Sequence, residues 1–397
     1  VTTAHRTWGR AEQQDFRSRV RGCLLGGAIG DALGAGVADA SLAEIRAGHG
    51  PQGVVDFAPA HGRRGAVTAG TQMGLFTVDG LIRAQVRRDG GRWHPPTDVH
   101  AAHRRWYATQ KDWGPDERKA EDGWLAREEW LYAQRGAPRS CLRGLADDRM
   151  GTLQQPRNPE AKDPGAVVRS APFGLLVGWE PQLVFQLAAE CATQTHGHPT
   201  GYLAAGAYAV VVHGLARGDV PEAAVRRALE ILAGRPGHDE TTAAVRAAVD
   251  GAGPGQPGAA GQPGPGGPPG PAGQPGPAGQ PPPGPAPEQV ERLGPGETAA
   301  EAVAVALYCA LAAADVRHGL LLAVNHGGGS DTTGALCGSL LGAQHGETAL
   351  PPAWVAEVEG RGTILQLADD FALEMTLGPA LHGEAAPNEA WLRRYPR

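Results

Sequence analysis

Lysine is almost missing from this chain: three residues, Lys111, Lys119 and Lys162, among 36 basic side chains in 397 residues. No segment gathers lysine and arginine into a cluster, and 42 acidic residues leave a formal charge of -6. That balance predicts no nucleic-acid partner and no anionic membrane partner. The five cysteines (Cys23, Cys141, Cys191, Cys309, Cys337) are odd in number and widely spaced, with no CxxC or Cys/His metal spacing. Buried free thiols in a reducing compartment are the expectation. The first twenty residues hold no apolar run of signal-peptide length, and no stretch of about 18 apolar residues occurs anywhere. Together these absences predict a soluble, cytoplasmic protein.

Strand-like alternation is scarce as well. Apolar residues instead recur at helical intervals over 17–33, 73–86, 183–191, 202–215, 221–232, 299–313, 333–344 and 364–373. Thr71 reads as the start signal of the 73–86 helix, and Asp331-Thr332-Thr333 as that of the 333–344 helix. The fold class is all-α: a single compact helical domain over 11–250 and 289–380. Between the two parts, glycine falls at every third position from 255 to 281. That register is collagen-like, but Gly and Pro at this density form no packed core, so 251–288 reads as a disordered linker. Such an insertion costs little when its ends lie close together.

Several stretches carry more than periodicity. They are RGCLLGGAIGDALG (21–34), TQMGLFTVDGLIRA (71–84), GAVVRSAPFGLL (165–176), THGHP (195–199) and AVNHGGGSDTTGALCGSLLGA (323–343), with Trp106, Thr109 and Gln110 between them. In this order they resemble the ADP-ribosylglycohydrolase family over residues 20–250 and 297–376. The resemblance implies an all-helical domain whose cleft holds two magnesium ions. Those ions bind ADP-ribose and promote hydrolysis of its bond to a protein side chain or another ribose. Two Mg²⁺ ions ask for octahedral oxygen coordination and several carboxylates to offset their charge.

At the family's metal signatures this chain departs from the pattern. Where the first signature reads Ser/Thr-Asp-Asp-Thr, the chain has Thr68-Ala69-Gly70-Thr71. Where the second reads His-x-Gly-Asp-Ser-Asp-x-Thr, it has His326-Gly327-Gly328-Gly329-Ser330-Asp331-Thr332-Thr333. Ala69, Gly70 and Gly329 replace three acids, and the remnant ligand positions are Thr68, Asp331 and Thr333. Where relatives often continue with a Glu linked to catalysis, the chain has Ala35-Gly36-Val37-Ala38. The loop Lys162-Asp163-Pro164-Gly165 departs from Lys-Gly-Asn/Cys-Gly, and Val168 takes a Met position. Pro164 also removes a backbone N–H from a segment that relatives use to approach phosphates.

Two unit charges 4 Å apart interact by about 4 kcal/mol at an effective dielectric near 20, and a divalent ion doubles each contribution. Losing three carboxylates therefore forfeits more than hydroxyls restore. The expectation is a catalytically inactive pseudoenzyme with no cofactor, Ala38 standing with Ala69, Gly70 and Gly329 among the lost acids. It is expected to bind ADP-ribose or another phosphate-bearing nucleotide without magnesium. The ligand-binding candidates are Thr68, Thr71, Gly165, Arg169, His326, Gly327, Gly328, Gly329, Ser330 and Asp331. Glycine amides at 327–329 and the following helix N-terminus are the expected phosphate donors.

Blander roles compete residue by residue. Asp331, Thr332 and Thr333 also suit a helix N-cap, Asp31 suits hydrogen bonding in a Gly-rich helix, and His196 and His326 suit loop hydrogen bonds. Arg169 either meets a phosphate or braces its loop. Two further readings stay open. One is a helical interaction scaffold with a vestigial cleft and a protein partner. The other is a residually active magnesium-dependent hydrolase using Asp331 with Asp31, Asp39 or Glu44.

Overall fold

The computed structural model describes residues 8–119, 122–253, 285–382 and 388–397. Seventeen α-helices follow in order among them. The first eight are α1 (Arg10–Gly34), α2 (Leu42–His49), α3 (Ala69–Asp89), α4 (Pro95–Thr109), α5 (Arg139–Ala146), α6 (Ala171–Gly174), α7 (Pro181–Ala192) and α8 (Pro199–Ala216). Then come α9 (Pro221–Leu232), α10 (Asp239–Ala252), α11 (Pro287–Val290), α12 (Ala299–Ala312) and α13 (Val316–Val324). The last are α14 (Ser330–His345), α15 (Pro352–Glu357), α16 (Arg361–His382) and α17 (Glu389–Arg394). Short 3₁₀ turns link some of them, and the described residues form no strand. None of the helices is long and apolar enough to cross a membrane. The expected linker falls mostly on 254–284, outside the described residues.

α8 is apolar almost all round and buried along nearly its whole length, which makes it the central helix. α12 and α14 flank it, and the Tyr208 hydroxyl fixes the α8–α14 contact by donating to the Leu336 carbonyl at 2.9 Å. All five cysteines are buried free thiols.

The contact that places the cleft is between α1 and α14. Gly22, Gly26, Gly30 and Gly34 recur one helical turn apart along α1, facing Gly346, Gly342, Gly338, Gly334 and Ser330 in the opposite direction. A Cβ on any of the four α1 glycines would overlap a backbone carbonyl of α14, and one on Gly334, Gly338 or Gly342 would overlap α1. The two backbones therefore touch with no side chain between them. This seam carries Asp31, on the last turn of α1, to the N-terminal end of α14.

The start of α3 differs from the expectation. Its N-cap is Thr68, not Thr71: Thr68 has extended backbone and its Oγ1 accepts the Gly70 N–H at 3.2 Å. Thr71 is already inside the first turn. α14 likewise begins at Ser330 with Gly329 as N-cap, so Asp331-Thr332-Thr333 is its first turn and not its cap. Both helices start earlier because local hydrogen bonds, absent from any hydrophobic period, fix the entering chain.

Candidate functional site

The N-termini of α3 and α14 meet beside Asp31. The Asp31 carboxylate is 1% exposed, and its Oδ2 accepts from the Thr68 N–H at 2.9 Å, the Thr71 N–H at 3.3 Å and the Thr71 hydroxyl. It therefore caps α3 from a neighbouring helix, where helix geometry leaves unmatched amides. Its other oxygen, Oδ1, is buried without a partner. Burial, and then the negative charge of Asp331, push its pKa up to about 7 despite the bonds from Thr71 and Thr68. Burial raises Asp331 too, with Asp39 adding like charge, while the Thr332 N–H donates to Asp331 Oδ1 at 2.7 Å. Asp31, Asp331 and Asp39 thus share one electrostatic neighbourhood. Glu44 does not join them, because its carboxylate closes the α2 capping box by accepting from the Ser41 N–H and hydroxyl.

Positions 69, 70 and 329 lie at the starts of α3 and α14. Ala69 is 1% exposed and packs into the core. A Cβ on Gly70 would stand 3.0 Å from a Val168 methyl. Gly329 is only lightly enclosed, with Gly296 and Pro295 carbonyls as its nearest atoms. Ala38, further along the rim, is half-buried. Among the described residues no three His, Cys, Asp or Glu side chains converge as metal ligands. The donor set therefore does not fit a binuclear magnesium centre, which needs several convergent carboxylates.

The 325–329 loop is held from several sides. Asn325 clamps Val54, accepting its N–H at 2.7 Å and donating to its carbonyl at 2.8 Å. The His326 ring lies between Thr333 Oγ1, 2.8 Å from Nε2, and the Gly327 carbonyl, 3.0 Å from Nδ1, and burial lowers its pKa. The Thr333 hydroxyl donates to the Ala323 carbonyl at 2.7 Å.

Gly328 adopts φ +116°, a conformation that favours glycine, and a Cβ there would overlap the Pro295 carbonyl. Its N–H donates to Ala40 O at 3.3 Å, that of Gly329 to Pro295 O at 2.9 Å, and that of Ser330 to Gly328 O at 2.8 Å. In this conformation none of these three amides is free for a phosphate. The same holds at α3, where the amides of Ala69, Gly70, Thr71 and Gln72 all find protein acceptors. Pro295 was invisible as a site residue in the sequence, since nothing in its local pattern points to a loop more than thirty residues away.

Gly165 and Arg169 belong to a second cluster. Arg169 is 1% exposed, and its guanidinium donates to the Gly165 carbonyl at 3.1 Å, Thr195 Oγ1 at 2.6 Å and Cys141 Sγ at 3.2 Å. It braces the loop from inside. His196 lies in the same cluster. Val168, touching Gly70, and Met73, whose Sδ lies 3.9 Å from an Arg169 guanidinium nitrogen, link the two groups.

Between them an open groove of about 360 Å³, counting the part shared with solvent, runs from Gly70 and Thr71 along α3. Its walls include Leu24, Gly74, Val168, Pro172 and Ser339. A Cβ on Gly74 would meet nothing within 4 Å, so the α3 backbone itself faces this space.

The ADP-ribosylglycohydrolase family model matches residues 12–380. The chain belongs to the ADP-ribosylglycohydrolase family. An uncharacterized protein of Archaeoglobus fulgidus is 24% identical over 359 residues, covering 89% of this chain and 95% of the relative. A solved "ADP-ribosylglycohydrolase-related protein complex" shares the fold with a TM-score of 0.56 and 23% identity, over 92% of this chain and all of that one. Within that family the protein keeps the all-helical frame.

Proposed function

We propose that this member of the ADP-ribosylglycohydrolase family is a pseudoenzyme: it does not hydrolyse, and its cleft binds ADP-ribose or another phosphate-bearing nucleotide without a binuclear magnesium centre. The observation that carries the reading is the chemistry of positions 69, 70 and 329. They stand at the starts of α3 and α14 and offer a methyl group or no side chain at all. Of the remaining acids, Asp31 is raised by burial and by Asp331, and Asp331 by burial and by Asp39, which opposes a further negative charge in this neighbourhood.

The groove supports the ligand half of the reading. Gly70 and Gly74 leave the α3 backbone open, and Val168 and Pro172 give an apolar opposing wall. A base or ribose would lie against this wall at the groove's open mouth, not inside it, with its phosphates directed to water rather than to the engaged amides at 328–330.

Those engaged amides are also the specific observation in favour of a second reading, a helical scaffold whose cleft is vestigial and which serves a protein partner. Thermal-shift titration with ADP-ribose, in magnesium and again in EDTA, separates the two. The proposed function predicts stabilisation that survives EDTA and no release of ADP-ribose from a modified protein. Stabilisation lost in EDTA, with magnesium-dependent release, would instead make the chain a hydrolase using Asp331 beside Asp31 and Asp39. No shift with any nucleotide would leave the scaffold.

A further inference from the structure

The far end of α3 carries a surface that the cleft does not use. α3 is 21 residues long, so its C-terminus lies about 30 Å from the end that holds Thr71. There Trp93, 43% exposed, leans on Trp179 with ring centroids 5.8 Å apart. The Arg88 guanidinium sits 5.5 Å from the Trp93 ring centroid and holds the indole in place. Leu183, 39% exposed, follows Trp179 in the first turn of α7. A single exposed apolar side chain is ordinary, whereas a pair of tryptophans left open to water marks an interaction surface.

Both rings are carried on fixed backbone. The turn after α3 closes with the Gly90 N–H on Arg87 O at 3.1 Å, the Gly91 N–H on Arg88 O at 2.9 Å and the Arg92 N–H on Arg87 O at 3.0 Å. The Trp179 N–H donates to Leu176 O at 2.9 Å, and Arg217, at the end of α8, donates from Nη1 to Val177 O at 2.9 Å. A Cβ on Gly91 or on Gly178 would meet nothing within 4 Å, so no neighbouring side chain overhangs either approach. Arg92 precedes one tryptophan and Glu180 follows the other, and both are exposed. Glu180 is the N-cap residue of α7, yet its carboxylate makes no capping bond. Among the described residues neither that carboxylate nor the Arg92 guanidinium has an ion-pair or hydrogen-bond partner. One unpaired cation and one unpaired anion therefore flank the same aromatic pair.

We propose that this face docks a second copy of the chain about a two-fold axis, with the tryptophans at its centre and Arg92 of each copy against Glu180 of the other. Charge selects the occupant. A patch that bears both signs is complementary to itself, because a two-fold axis exchanges the two flanks and makes each pair twice. A strongly acidic or strongly basic partner would satisfy one flank and be repelled by the other. The aromatic centre supplies the apolar contact, since tryptophan and arginine dominate the energetics of such interfaces. Rings already held by Arg88 and by the two turns lose little freedom on docking. The cleft lies at the opposite end of α3, so the inference does not depend on what the cleft binds.

Sedimentation velocity on the full chain, over about a hundred-fold range of protein concentration, tests the proposal. The wild type is expected to pass from monomer to dimer as concentration rises. Trp93→Ala should weaken the dimer at least about ten-fold. Arg92→Glu and Glu180→Arg should each weaken it by about ten-fold or more, because each sets like charges face to face twice. The two reversals combined should restore the wild-type dissociation constant to within about three-fold. All three positions are exposed, so the variants are expected to fold, and circular dichroism checks that they do. A wild type that stays monomeric throughout overturns the proposal. So does a dimer that ignores Trp93→Ala, which would place the contact elsewhere. A dimer weakened by both single reversals and not rescued by the double would also overturn it, by setting this face against a different surface.

Discussion

Replacing Gly30 or Gly342 by alanine is expected to destabilise the protein by about 3 kcal/mol or more, enough to prevent folding in a domain of ordinary stability. One methyl group has this effect because there is no side chain to move. The added Cβ of Gly30 would overlap the Gly334 carbonyl, and that of Gly342 the Gly22 carbonyl. Relief requires α1 and α14 to part along their whole length, and every glycine pair on the seam loses its close packing together. Gly74→Ala is the matched control: also glycine within a helix, but with nothing within 4 Å of its Cβ. There alanine's better helix propensity is expected to add up to about 1 kcal/mol. Urea unfolding of the three variants decides it, and equal midpoints for Gly30→Ala and Gly74→Ala would refute the seam as the organising contact. The functional cost of a loosened seam is specific, since Gly34 against Ser330 is what holds Asp31 at the mouth of α14.

That seam shows where sequence is informative and where it stops. The periods at 221–232 and 299–313 correspond almost residue for residue to α9 and α12, because both are stretches whose apolar face alone decides their fate. The glycines of 22–34 and 334–346 stood in plain view as part of a family likeness, and their four-residue spacing was the available signal for a backbone-to-backbone contact. Helices α4, α10 and α13 carried weaker signals. α4 buries Asp98, His100 and His103 among its apolar residues, which blurs any hydrophobic period. At the site, the identity of positions 69, 70 and 329 was legible, but their surroundings were not. That the amides of 328–330 are consumed by Ala40, Pro295 and Gly328 depends on chain segments far apart in sequence. Asp163 is similar: the altered loop around it was evident, whereas its convergence with Ser140 and His196 needed the packed structure. Local chemistry is written in the sequence, and the partner of a backbone amide is not.

Asp31→Asn is expected to change how stability depends on pH more than any other single substitution at the site. The folded-state pKa of Asp31 is raised from the ordinary 3.8 to about 7, by burial first and then by Asp331. A carboxyl whose pKa rises on folding holds its proton in the native state when the unfolded chain has already released it. Its contribution is therefore fully present below about pH 4 and is lost as pH rises towards and through 7. With about 1.4 kcal/mol for each pH unit across that window, up to about 4 kcal/mol is at stake. Asparagine keeps an oxygen for the Thr68 and Thr71 donors and cannot ionise. The stability of the wild type relative to Asp31→Asn should thus fall steadily between pH 4 and pH 8, read as the difference between two unfolding curves at each pH.

Asp331→Asn provides the second arm of the test. Removing that like charge lowers the Asp31 pKa and moves the same fall to lower pH. Parallel pH profiles for wild type and Asp31→Asn would mean that Asp31 is ionised throughout, with a counter-charge beside it that the folded chain alone does not supply. A bound cation would meet that requirement, so the titration also tests the metal-free reading of the cleft. Repeating it in EDTA distinguishes the cases: profiles that diverge only after chelation would put a metal back beside Asp31 and Asp331, and divergence in both buffers would leave the proton as the only ligand the two acids share.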